Sequence, residues 1–137
     1  MFQYIRVQLF KWLPALTIML VIYLISAQPS SQLPNFGWAD YLVKKSGHAF
    51  GYAVLALLYW RAFDFKKEKR WIAWLMAVLY AVTDEFHQSF VPGRHPAILD
   101  VIIFDNLGAL LSLWLVDVYR KQKRPDVMPP IVKKTQR

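Results

Sequence analysis

Four apolar stretches recur along the chain, at Trp12 to Ala27, Ala49 to Trp60, Trp71 to Val82 and Val101 to Val116, the last interrupted by Asp105 and Asn106. Of the 137 residues 56% are hydrophobic and the mean hydropathy is +0.25, above ordinary soluble usage. The expected fold class is therefore all-α, an integral membrane bundle of four transmembrane helices. Crossing a roughly 30 Å hydrocarbon core takes about 20 residues at 1.5 Å each, and most of the stretches are shorter than that. The second reaches full length only by starting near Lys45, the third by continuing towards Gln88, and the fourth by beginning near Pro96, a residue suited to a first helical turn. Polar residues must complete the spans.

The net charge is +8 and the sequence pI about 9.8. Its placement decides what it means. Arg6 and Lys11 precede the first span, Arg61, Lys66, Lys67, Lys69 and Arg70 fill the connection "RAFDFKKEKR", and Arg120, Lys121, Lys123, Arg124, Lys133, Lys134 and Arg137 crowd the C-terminal segment. With four spans all three clusters lie on one side, and the excess of Lys and Arg in cytoplasmic segments makes that side the cytoplasm, with both termini there. The basic tail is expected on anionic membrane lipid, at about 1 kcal/mol per residue near the surface, and no nucleic acid partner is expected. Residues 1–119 form the transmembrane domain; residues 120–137, with "KRPDVMPP", form a basic cytoplasmic tail expected to be disordered. Met1 to Ala27 also has the outline of a signal peptide, but Ile25 stands where cleavage wants a small residue, so the segment is kept as a span. The chain has no cysteine, which removes disulfide and thiolate chemistry.

In this topology the second span enters from outside at Lys45 and His48, the third leaves at Asp84 to Gln88, and the fourth re-enters with Asp100 and Asp105. The stretch "VTDEFHQSFVPGRHPAILD" thus concentrates ionisable residues in one outer layer. His48 and Tyr52, and likewise Asp84 and Gln88, are i, i+4 pairs sharing a helix face. Asp105 lies nine residues after Pro96, about 14 Å along the axis and near mid-membrane, where a carboxylate costs roughly 2.5–3.5 kcal/mol unless it is paired, protonated or facing a polar cavity. Plainer readings exist for single positions. "VPGR" is a turn in its own right, Asp84, Glu85 and Arg94 could form a local interfacial ion pair, Gly47 and Gly51 form a G-x-x-x-G read as a helix-packing face, and His95 reads as solvated. The whole set is harder to place on packing grounds alone.

These residues resemble the VanZ-like family of membrane proteins, named for a protein associated with low-level teicoplanin resistance. The resemblance rests on Lys44, Lys45, His48 and Tyr52 in "KKSGHAFGY"; on Asp84, Glu85, His87, Gln88, Phe90, Pro92, Gly93 and Arg94 in "DEFHQSFVPGR"; and on Asp100, Asp105 and Gly108 in "DVIIFDNLG". It runs from the first span to about Tyr119, and departs from the family pattern at Pro96 and Ala97. It implies a four-helix integral membrane protein of the bacterial envelope, and leaves the chemistry open.

Two main function classes follow. The first is an outward-facing polar site that binds or modifies an anionic envelope molecule, such as a lipid-linked precursor or a phospholipid head group, with a link to glycopeptide tolerance. Lys45 and Arg94 would hold phosphate or carboxylate, with Tyr52, Gln88, Asp100 and Asp105 as further binding residues and His48, Asp84 and Glu85 as candidates for acid–base work. A divalent metal is a variant of this reading, since His48, Asp84, Glu85, His87 and Asp100 offer oxygen and nitrogen ligands, although their spacing matches no standard metal signature and no cofactor is implied. The second class is a non-catalytic binding or scaffold protein, engaging a glycopeptide, a lipid or another membrane protein, whose polar residues only specify helix packing. A small transporter fits less well, because "LALLYW", "WIAWLMAV" and "LLSLWLV" carry no continuous relay.

Overall fold

The computed structural model describes residues 2–94, 99 and 101–123, and among these the chain is all-helical, without a strand. Four long helices run as α1 (Phe2–Ser26), α2 (Asp40–Ala62), α3 (Arg70–Gln88) and α4 (Asn106–Lys123). A π-helical turn, Val101–Asp105, leads straight into α4. Helix α2 starts a full turn before the expected Lys45, because Asp40 supplies a carboxylate to the first turn and pairs with Lys44 one turn on, at 2.7 Å. Helix α3 ends at Gln88, as the span-length argument requires. The expected start of the fourth helix near Pro96 and the tail beyond Lys123 lie outside the described residues.

Helix α2 is the hub and packs on each of the other three. Its buried Tyr52, Leu55, Ala56, Tyr59 and Trp60 recur at the i, i+3, i+4, i+7, i+8 spacing of a single helix face. Helix α3 answers with Ala73, Ala77 and Ala81, one small residue per turn, and α4 with Ala109 and Leu113. Helices α2 and α4 cross closely at Gly108, where an added Cβ would run into the backbone carbonyl of Ala49 on α2. This corrects the expectation for Gly47 and Gly51. A Cβ on Gly47 would meet nothing within 4 Å, and one on Gly51 only Ile22, at 3.7 Å, so that pair does not bring two backbones together.

The surface reverses the soluble pattern. Leu16, Leu20, Phe50, Leu79, Phe86, Leu111 and Trp114 are exposed, whereas Asp84, Glu85, Gln88, Asp105 and Asp117 are buried. By length and composition, two segments among the described residues can cross a membrane, Ile5–Ser26 and Val101–Lys123. The second and third stretches are helices too, but they do not reach that standard. Helix α2 carries Asp40, Lys44, Lys45 and Arg61, and α3 is short and closes on Asp84 and Glu85.

The two ends of the bundle differ in charge. At one end Lys11 pairs with Asp64 at 2.7 Å and holds that exposed carboxyl below its ordinary value. Arg70 and Lys121 both reach Asp117, at 2.7 and 3.0 Å, and the Arg120 guanidinium lies 4.2 Å over the Phe65 ring. Phe65 and Asp64 hold positive φ in the tight α2–α3 turn, which Trp60 closes by donating from Nε1 to the Lys66 carbonyl at 2.9 Å. Basic residues from the start of the chain, the α2–α3 connection and the end of α4 thus meet at this basic end. The opposite end, where α1 turns into α2 and α3 ends, carries the polar residues of "DEFHQSFVPGR".

Candidate functional site

The turn after α3 is held against the turn after α1. Gly93, at φ 72, lets the chain fold back so tightly that its Cα faces Ser30, whose amide donates to the Pro92 carbonyl at 3.4 Å. Arg94 then reaches across to the end of α1, donating from Nη2 to the Ile25 carbonyl at 2.8 Å and from Nε to the Gln28 carbonyl at 3.1 Å. A cation belongs at a helix C-terminus, where carbonyls lack intrahelical partners. Burial pulls the guanidinium below its ordinary pKa, and the charges of Asp84 and Glu85 oppose that pull.

The sequence-derived residues fall into two groups that share Gln88. The first is a closed network around Asp84, which is 3% exposed. Its Oδ2 accepts three hydrogen bonds, from Ser26 Oγ of α1 at 2.8 Å, Tyr52 Oη of α2 at 3.1 Å and Gln88 Nε2 of α3 at 3.0 Å. Gln88 Nε2 also lies 3.2 Å from Ser26 Oγ. One carboxylate oxygen therefore ties three helices together. Its other oxygen, Oδ1, is buried and accepts no hydrogen bond among the described residues.

The second group lines a cavity of about 590 Å³ at the same end, walled by Lys45 and His48 of α2, Glu85 and Gln88 of α3, Arg94, and Phe104 of the π-helical turn. Lys45 extends over the Tyr41 ring at 5.6 Å. Behind His48 lies Asp105, 4% exposed, with Oδ1 at 4.0 Å from His48 Nδ1. The π-helical turn ends on Asp105 and aims it at α2 instead of at the membrane-facing side; such turns recur at functional sites. A cation set, a histidine backed by a carboxylate, a carboxylate and an amide are thus gathered around one opening. That arrangement suits an anionic, hydrogen-bonding ligand.

A second cavity, about 430 Å³, is a groove between α1 and α2. Its walls are apolar, and Lys44, His48 and Arg94 line both cavities where the two adjoin. Tyr52 faces this groove as well as Asp84.

Other placements differ from the single shared site. His87 stacks on Tyr23 of α1, ring centroids 4.7 Å apart, and lines neither cavity. Among the described residues no three His, Asp or Glu side chains converge as a metal ion requires. Asp100 and His95 lie outside the described residues. Three partners escaped the sequence reading. Ser26 reads as a span-end serine with nothing to mark it, Asn106 accepts from Trp74 Nε1 at 2.7 Å, and Asp117 anchors the basic end. Only for Asn106 is there a signal in the sequence, its interruption of the last apolar stretch.

The fold and site together define a class, a small helical protein with an apolar exterior and a polar layer buried at one end. Residues 2–120 match the model of the VanZ/LLP1 family, and the chain belongs to that family. Together with two helices long and apolar enough to span, this marks a membrane protein. No curated protein and no solved structure matches the chain.

Proposed function

We propose that the chain crosses the membrane four times with both termini in the cytoplasm, and that the 590 Å³ cavity faces outward and binds an anionic envelope molecule through its head group, a lipid-linked precursor or a phospholipid. One observation carries the reading: Lys45, His48 and Arg94 share a cavity wall with Glu85 and Gln88 at the end of the bundle opposite the basic cluster. The exposed apolar residues on all four helices support burial in lipid, and the basic end supports a cytoplasmic assignment for it. Glycopeptide tolerance is then the phenotype in which loss of the site would register.

Binding has stronger support than a reaction. His48, backed by Asp105, is the side chain best placed for proton transfer to a bound molecule, with Glu85 across the cavity. The scaffold reading has its own supporting observation, the Asp84 network joining α1, α2 and α3. The two readings divide the residues between them: Asp84, Ser26 and Tyr52 set the packing, and Lys45, His48, Glu85 and Arg94 meet the ligand. Passage across the membrane is opposed by the buried apolar Leu55, Ala56, Ala77 and Leu113, which lie along their helices between the polar layer and Asp117.

Lipid selectivity tests the proposal. Purified protein examined by native mass spectrometry should retain phosphatidylglycerol over phosphatidylcholine, and Lys45→Gln should weaken that retention roughly tenfold, the worth of one charged hydrogen bond. Equal retention of both lipids by the wild type would remove the head-group site.

A further inference from the structure

We infer that the groove between α1 and α2 seats one hydrocarbon chain of the same anionic lipid whose head group occupies the polar cavity, an inference that rests on the reading just given. Three observations carry it. Glycines in membrane helices ordinarily let backbones touch, yet here Gly47 and Gly51 line a groove, with nothing within 4 Å of a Cβ on Gly47 and only the Ile22 side chain, at 3.7 Å, near one on Gly51. The opposite wall is formed by Ile18, Ile22 and Ile25 of α1, so the channel is apolar along its length. At its upper end it runs into the polar cavity, and the side chains common to both are Lys44, His48 and Arg94.

Those cationic and titratable groups at the end of an apolar channel match a molecule with an anionic head and an apolar tail. The length agrees. From Ile18 to Ser26 α1 rises about 12 Å, close to one leaflet of a roughly 30 Å core, as a chain hanging from a head group requires and a transmembrane helix of a partner does not. Surrounding lipid is as apolar as the groove, so seating the chain gains little from the hydrophobic effect. What the groove contributes is shape and dispersion contact. It sets which lipid is held and how it is oriented, while the head group supplies the affinity.

The test uses the full chain in phosphatidylcholine nanodiscs with a trace of phosphatidylglycerol carrying a diazirine midway along one acyl chain, and the same acyl chains on phosphatidylcholine as the control probe. The anionic probe is expected to label residues 18–25 and 47–54 roughly tenfold more than the control probe does. Gly47→Phe, which fills the channel, should cut that labelling roughly fivefold without lowering the melting temperature, and Gly47→Leu serves as the smaller plug if the phenylalanine variant does not fold. Glycerol phosphate, which has a head group and no chain, should compete with the probe's head group equally in wild type and in either plugged variant. If glycerol phosphate competes but labelling spreads evenly over all lipid-facing segments, the head-group site stands and the chain groove falls. If both probes label the groove equally and glycerol phosphate has no effect, the groove holds only bulk lipid and both readings fall. Disulfide-linked dimers of a Phe50→Cys variant, formed through a side chain that is exposed on the groove wall, would assign the channel to a second copy of the chain and overturn the inference.

Discussion

Gly108→Val is expected to cost more stability than any other single substitution considered for this chain. A Cβ at this position meets the Ala49 carbonyl, and backbone cannot swing away as the tip of a flexible side chain can. The remaining escape is to push α4 off α2, which separates the core pairs Leu55, Ala56, Ala109 and Leu113 and withdraws Asp105 from His48. Overpacking in a tight interior costs typically 1–3 kcal/mol and occasionally more; this contact lies at the upper end, about 3 kcal/mol, and even Gly108→Ala is expected to be destabilising. Gly47→Ala is the matched control. It adds the same methyl group to a helix interior in open space, where alanine is preferred to glycine by roughly 0.5–1 kcal/mol, so it should raise stability. Thermal unfolding in detergent, with membrane abundance alongside, measures both, and equal effects at the two positions would contradict the assigned α2–α4 crossing.

Asp84→Ala is expected to be the other large loss. The substitution leaves the Ser26 hydroxyl, the Tyr52 hydroxyl and the Gln88 amide facing one another without their common acceptor, in a site only 3–5% exposed at Asp84 and Gln88. Each stranded donor costs about 1–3 kcal/mol in isolation, and they share one partner, so a net loss of about 3 kcal/mol is expected rather than the sum. Asp84→Asn keeps one acceptor oxygen and should lose less. Tyr52→Phe removes a donor without stranding one and should cost about 1 kcal/mol. The diagnostic feature is where the damage falls: Asp84→Ala should lower the melting temperature, whereas Lys45→Gln should lower lipid retention with the melting temperature near wild type. If both variants failed in the same way, the division between a packing network and a binding cavity would not hold.

That division was not visible in the sequence, although most of its members were. His48 with Tyr52 and Asp84 with Gln88 follow from i, i+4 spacing, and the requirement that Asp105 be paired or face a polar cavity follows from the cost of a carboxylate at depth. The structure sets Asp105 4.0 Å from His48. Span length also carried the third helix towards Gln88, where it ends. What spacing cannot show is which face of a helix meets which neighbour. Gly47 and Gly51 carry the pattern of a packing pair and line a groove, whereas Gly108, a lone glycine among apolar residues, makes the close crossing. The same limit hid Ser26, whose role depends on α3 arriving alongside α1, and the π-helical turn, which re-aims Asp105 by a local change in winding that no residue type announces. Arg94 illustrates a third case. Its charge was legible, but its two bonds to α1 carbonyls belong to a contact between connections more than sixty residues apart in sequence.

Orientation decides the proposed function, because a cavity that opened to the cytoplasm could not meet an outer-leaflet head group. Accessibility of single cysteines in intact cells tests this most directly, the native chain having none. Ser89 is exposed at the polar end, one residue after Gln88 of the cavity wall, and Lys67 is exposed at the basic end. Ser89→Cys is expected to react with a membrane-impermeant thiol reagent in intact cells, and Lys67→Cys only after the cells are opened. Labelling of Lys67→Cys in intact cells with protection of Ser89→Cys would contradict the proposed orientation.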